Sequence, residues 1–172
     1  LTTVDLSVPA SPRVLGCCDN GEMGEYGAVA LDGCHAYLAS VDLQVLNVAD
    51  PAAPTLVASV PGAGGHAIAV GEGYAVVASQ SDCIVCDVVD PARPRLLQRL
   101  TQAPHGFTGG VAIEGGCLYA VAHGAYSGEW GSSGAVVSQR LSRAAPPSPL
   151  AQLSWPDLWE GPYWLGASGS HV

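Results

Sequence analysis

Leu43-Gln44-Val45-Leu46-Asn47-Val48-Ala49-Asp50-Pro51-Ala52-Ala53-Pro54 is followed by a second version of itself, Cys83-Ile84-Val85-Cys86-Asp87-Val88-Val89-Asp90-Pro91-Ala92-Arg93-Pro94. The apolar first half of each copy reads as a short strand bounded by turn residues. The Asp-Pro-x-x-Pro that follows ends it. Proline fixes φ and carries no amide donor, so the chain leaves one strand sharply and is delivered into another. That outer strand is Thr55-Leu56-Val57-Ala58 after the first copy and Arg95-Leu96-Leu97-Gln98 after the second.

Upstream of each copy lie two short apolar strands around a Gly-containing hairpin turn. They run from Val29 to Gly33 and Ala36 to Ala39, then from Ile68 to Gly71 and Ala75 to Ala78, and a third pair spans Val111 to Gly115 and Leu118 to Val121. Weaker Pro-x-x-Pro turns stand at Pro9 to Pro12 and Pro146 to Pro149. A period of about 40 residues is that of propeller blades. The expectation is an all-β fold, a β-propeller of about four blades with four antiparallel strands each, or a segment of a larger propeller, spanning residues 1–172 as one domain. Leu1 to Leu6 falls at a third-strand position, and Tyr163-Trp164-Leu165-Gly166-Ala167 at a second-strand position with Trp164 in the place of Tyr37. Together the two segments compose one more repeat, as a ring closed by strand exchange requires. Four repeats excised from a longer array would show the same phase. The last interval between proline turns is the longest because it holds a Gly/Ser-rich insertion from His123 to Gly134.

The two central copies resemble the LVIVD repeat, and the resemblance weakens before Gly16 and beyond Gly124. It implies tandem propeller blades of a prokaryotic protein, secreted or at the cell surface, with no single activity attached to the family. The chain departs from the pattern where cysteines replace aliphatic residues at Cys83 and Cys86, and where the third full unit lacks Asp-Pro.

Composition agrees with a packed domain of short strands. Of the 172 residues 48% are hydrophobic and 12% charged, with 22 glycines and 13 prolines, which excludes a disordered chain. All six basic residues are arginines, set against fifteen acidic ones for a net charge of −9. Nucleic acid and anionic membrane surfaces are repelled by such a chain. No apolar run approaches the roughly 18 residues that a membrane-spanning helix needs.

Six cysteines are present. Cys83-x-x-Cys86 has the spacing of a redox pair or half a zinc site. Its members occupy the positions of Leu43 and Leu46, and residues three apart in a strand point to opposite faces, so the expectation is core filling rather than shared ligation. Cys34 and Cys117 fall in or beside equivalent hairpin turns and Cys17 with Cys18 near the end of an outer strand. They are too few and too irregular for a disulfide scaffold.

Propeller topology brings the outer-to-inner loops and the second-to-third-strand loops to one face. That face is expected to gather Glu22, Glu25, Tyr26, His66, His105 and Phe107 from the first set. Asp42, Asp82 and the insertion residues His123, Tyr126, Glu129 and Trp130 come from the second. Histidines, carboxylates and aromatics around a central pit suit a protein, a glycan or a metal, and loops on a rigid scaffold are where function concentrates. Core packing is the first expectation for the cluster of Trp155, Trp159 and Trp164: Trp164 packs between blades, and Trp155 and Trp159 flank the fourth inner strand, where stacking on a sugar ring is the alternative. No nucleophile motif, phosphate loop or carboxylate pair stands out, so no catalytic residue, metal or other cofactor is assigned. The expected function is a non-enzymatic module that contacts a protein or glycan through one propeller face, outside the cytoplasm. Two alternatives remain beside it: a metal-dependent, hydrolase-like enzyme using the His and Glu residues of that face, and a structural segment of a longer propeller that self-associates through open sheet edges.

Overall fold

The computed structural model of the chain describes residues 1–19, 27–80, 82–101, 105–106, 109–124, 134–144 and 149–155. These form fifteen β-strands, and no helix occurs among the described residues. A hairpin of β1 (Thr2–Asp5) and β2 (Arg13–Cys17) comes first. The first full sheet contains β3 (Ala28–Asp32), β4 (His35–Ala39), β5 (Leu43–Asn47) and β6 (Thr55–Val60) in chain order. The second contains β7 (Ala67–Gly71), β8 (Tyr74–Ala78), β9 (Asp82–Asp87) and β10 (Arg95–Thr101) in the same order. Next, β11 (His105–Gly106) pairs with the far end of β13 (Cys117–Gly124), which lies between β12 (Val111–Glu114) and β14 (Gly134–Arg140); β15 (Pro149–Trp155) is outermost. Every pairing is antiparallel. The all-β, propeller-type repeat expected from the Pro-x-x-Pro turns is the architecture observed.

The repeat extends to details that the sequence pattern left open. One residue of each outer strand is skipped in the pairing with the third strand: Leu15, Val57, Leu97 and Leu150. Such a bulge bends the strand and raises its local twist. After each full third strand, the next amide (Val48, Val88 or Leu141) donates to a carbonyl of the inner hairpin turn (Cys34, Gly73 or Gly116). Asp5, Asn47 and Asp87 each accept a hydrogen bond on Oδ1 from the amide two residues on, and Asp50 and Asp90 repeat the device before their prolines. The tight inner hairpins need left-handed backbone: Gly115 and Gly116 have φ of 57° and 72°, and Glu72 and Gly73 have 55° and 76°, the type I′ combination that matches strand twist.

Packing is face to face. One core lies between the first two full sheets and joins Tyr37, Ala39, Leu43 and Val45 to Ala75, Val77, Ile84 and Cys86. A second lies between the second and third sheets and joins Val76, Ala78, Cys83 and Val85 to Val111, Leu118 and Ala120. The second sheet is therefore buried on both faces, and all five residues of β8 are inaccessible. This is why its strands read as continuous apolar runs instead of alternating. Each aliphatic side chain so buried contributes about 1.5–3 kcal/mol.

Cys83 and Cys86 face these two different cores, as the alternation of side chains along a strand requires. Burial pushes both thiols up, Cys86 to about 12. All six cysteines are free thiols.

Candidate functional site

The loops at one end of the sheets do meet, as the topology requires. The connection from β6 to β7 passes so close to the β4–β5 turn that a Cβ on Gly64 would run into the carbonyls of Ser40 and Val41. Asp42 Oδ1 accepts the Gly62 amide at 2.6 Å, and the Arg99 guanidinium lies 3.7 Å from the Asp82 carboxylate and donates to the Gly62 carbonyl. Two carboxylates expected at a ligand pit thus clasp the loops. His66 is half-buried, its amide donates to the Ala78 carbonyl, and its Nε2 is enclosed without a hydrogen-bond partner among the described residues. Strand pairing sets His105 opposite Gly124 and Gly106 opposite His123, so the two histidines stand on neighbouring rungs of one ladder. The β13–β14 ladder also runs up to His123 and Gly134, which makes the ends of the insertion part of the sheet.

Glu22, Glu25, Tyr26, Phe107, Tyr126, Glu129, Trp130, Trp159 and Trp164 lie outside the described residues, and Trp155 ends β15. Among the described residues no three His, Cys, Asp or Glu side chains converge as metal ligands.

A groove opens at the opposite, hairpin end, where no site was expected. It has a volume of about 640 Å³ and lies between the first and second full sheets. The β3–β4 hairpin supplies Asp32, Gly33, Cys34 and His35, with Tyr37 behind it; the β7–β8 hairpin supplies Glu72 and Gly73; Val88, Val89 and Pro91 come from the turn after β9, and Arg143 closes one end. Asp32, Cys34 and Glu72 are exposed.

Arg143 is held from several directions. Its Nε donates to Asp87 Oδ1 at 3.1 Å, its Nη2 donates to the Glu72 and Gly73 carbonyls at 3.0 and 2.9 Å, and its guanidinium stacks 4.0 Å from the centre of the Tyr74 ring. The other oxygen of Asp87 accepts Nε and Nη2 of Arg95 at 3.1 and 2.8 Å. Burial works to raise the Asp87 carboxyl, but the hydrogen bonds from Arg95, the Val89 amide and Arg143 outweigh it and hold the group below the usual carboxylate range. Asp87 balances the charge of one of its two arginines, and with Asp32 and Glu72 exposed the carboxylates at the groove outnumber the guanidinium groups by one. The charge of Asp32 together with burial, the larger cause, also pushes the Tyr37 hydroxyl up.

None of Asp87, Arg95 or Arg143 stood out as a site residue in the sequence. One signal was there: Asp5 and Arg13 flank the first proline turn with the same spacing of eight as Asp87 and Arg95 flank the third, and Arg13 donates to Asp5 at 2.6 Å. Arg143 comes from another sheet and had no such mark.

Comparison with known families finds the LVIVD repeat at residues 23–61 and again at 64–101. These spans contain the first and second full sheets, which supply every groove-lining residue except Arg143. No curated protein matches the chain.

Proposed function

We propose that this LVIVD-repeat chain, a propeller-type repeat module, is a non-enzymatic interaction module that takes an extended, positively charged segment of a partner protein into the groove at its hairpin end. The observation that carries the reading is the groove's composition. Val88, Val89 and Pro91 provide an apolar floor, while Asp32 and Glu72 stand exposed on the two neighbouring hairpins. Such a surface desolvates the apolar side chains of a peptide while its carboxylates attract Lys or Arg, which adds selectivity and a faster encounter. The net charge of −9 acts in the same direction.

A protein segment suits the groove better than a glycan. Sugar recognition uses open aromatic faces, whereas Tyr37 is buried and Arg143 already covers the ring of Tyr74. In the same reading the module works at the cell surface, the location that its repeat resemblance implies.

Calorimetric titration with the synthetic peptide Ac-Gly-Val-Arg-Val-Lys-Gly-NH2 and with a copy carrying Glu at both basic positions tests this. The basic peptide is expected to bind, more weakly as salt is raised. Asp32→Asn with Glu72→Gln is expected to weaken it up to about fivefold per carboxylate, the range for exposed ion pairs. Equal binding of the acidic peptide, or an unchanged affinity in the double variant, overturns the reading.

A further inference from the structure

Between the second and third full sheets an arginine of the chain itself fills the hairpin end. Gly71 of β7, Tyr74 of β8 and Asp87 of β9 are strand partners in one row, and directly opposed residues share a face of the sheet. Tyr74 stands two residues before Val76, which packs against the third sheet, so the row faces that sheet. Arg143 lies across it: the guanidinium stacks on Tyr74, Nε reaches Asp87, and Nη2 reaches the Glu72 and Gly73 carbonyls.

The first full sheet repeats the row as Asp32, His35 and Asn47. His35 stands two residues before Tyr37, which packs against the second sheet, so this row faces the groove. The amides of Val88 and Leu141 make the same bond to their inner hairpin turns, which puts Asp90 of the second sheet in the place of Arg143. Asp90 turns back on its own loop, its Oδ1 accepting the Ala92 amide. The groove is thus the space that an arginine fills between the other two sheets.

We infer that the row Asp32, His35 and Asn47 is an arginine subsite of the groove, where a partner's guanidinium lies across His35 as Arg143 lies across Tyr74. The inference rests on the groove reading above and narrows its basic segment to one that carries an arginine at this point. Two differences between the rows set the bonds. The carboxylate stands at the other end, because Asp32 takes the place of Gly71 and Asn47 the place of Asp87. The turns differ as well. Gly33 has a φ of 56°, but Cys34, unlike Gly73, is not left-handed, so the middle peptide is turned over and its carbonyl leaves the groove side. Asp32, which is exposed, supplies the acceptor in its stead. The planar fork takes this carboxylate bidentately while its face covers the His35 ring. Asn47 Oδ1, which accepts the Ala49 amide, stands at the far side of the ring; the matching oxygen of Asp87 accepts both the Val89 amide and Arg143 Nε. Lysine has neither the flat face nor the fork.

Calorimetric titration of the intact chain with Ac-Gly-Val-Arg-Val-Lys-Gly-NH2 and with its charge-matched copy, Lys in place of Arg, tests the subsite. The arginine peptide is expected to bind about threefold tighter or more, the contribution of one added hydrogen bond. Asp32→Asn should remove this preference, whereas Glu72→Gln weakens both peptides alike. His35→Tyr with Asn47→Asp copies the residues of the second row, and should tighten the arginine peptide at least about threefold while widening its lead over the lysine copy. Equal affinities of the two peptides for the parent chain, or a preference that survives Asp32→Asn, overturn the subsite and leave the groove reading standing. Equal tightening of both peptides by the copied row does the same, because charge alone is then read. If neither peptide binds the parent chain, the subsite and the groove reading fall together.

Discussion

The first and second full sheets are written in the same repeat yet live in different surroundings. Val29 and Leu31 of β3 occupy the positions of Ile68 and Val70 of β7 and are just as apolar, but the first pair stands open while the second is packed in a core. Place in the stack, and not local composition, sets the burial of each strand. The second sheet gains a neighbour on both faces, whereas the first gains one on a single face from the full sheets. The same contrast separates the two Asp–Arg clips. Asp5 meets one arginine in an exposed hairpin, and Asp87 meets Arg95 from its own sheet and Arg143 from the next.

Substitutions can test how far this difference reaches. The largest effect is expected from Ile84→Ala, which removes a side chain between two sheets and should cost about 2–5 kcal/mol in denaturant unfolding, with Tm falling accordingly. Asp87→Ala follows, because it leaves Arg95 and Arg143 without their carboxylate; about 1.5–3 kcal/mol is expected. Asp5→Ala in the open clip should cost distinctly less, and equal costs would show that the second arginine adds nothing.

Acid sharpens the same comparison. The Asp87 carboxyl lies below its unfolded value of about 3.9, so its contribution is present above that pH and is lost as pH falls through the folded value. Asp87→Asn should start less stable at neutral pH and lose less Tm than the parent on acidification from about pH 5 to pH 2. A parallel loss in both proteins would remove Asp87 from the acid response. The smallest effect belongs to Leu31→Ala, whose side chain is 70% exposed, within about 0.5 kcal/mol of neutral, while Val70→Ala, which thins the packing of a core, costs distinctly more. Equal costs would show that place in the stack does not set the burial of these two strands.

Much of this architecture was legible from residue order because it rests on short-range chemistry. Asp50-Pro51 and Asp90-Pro91 end their strands by backbone geometry that the residues carry with them. Leu43 and Leu46 beside Cys83 and Cys86 told which side chains share a face, since alternation along a strand has no tertiary component. The candidate site was poorly legible for the opposite reason. Histidines and carboxylates of the loops drew attention, but Asp42 and Asp82 turned out to hold loops together. The groove is lined from three sheets, and Arg143 lies 56 residues from the Asp87 that it binds.

The sequence by itself determined the repeat, its strands, its turns and the inward or outward sense of each side chain, because these follow from backbone propensities and a period of two. Only the tertiary structure decided which apolar faces are covered, where the groove opens and which arginines share Asp87. Those depend on how sheets stack, and stacking brings together residues whose separation along the chain carries no local signal.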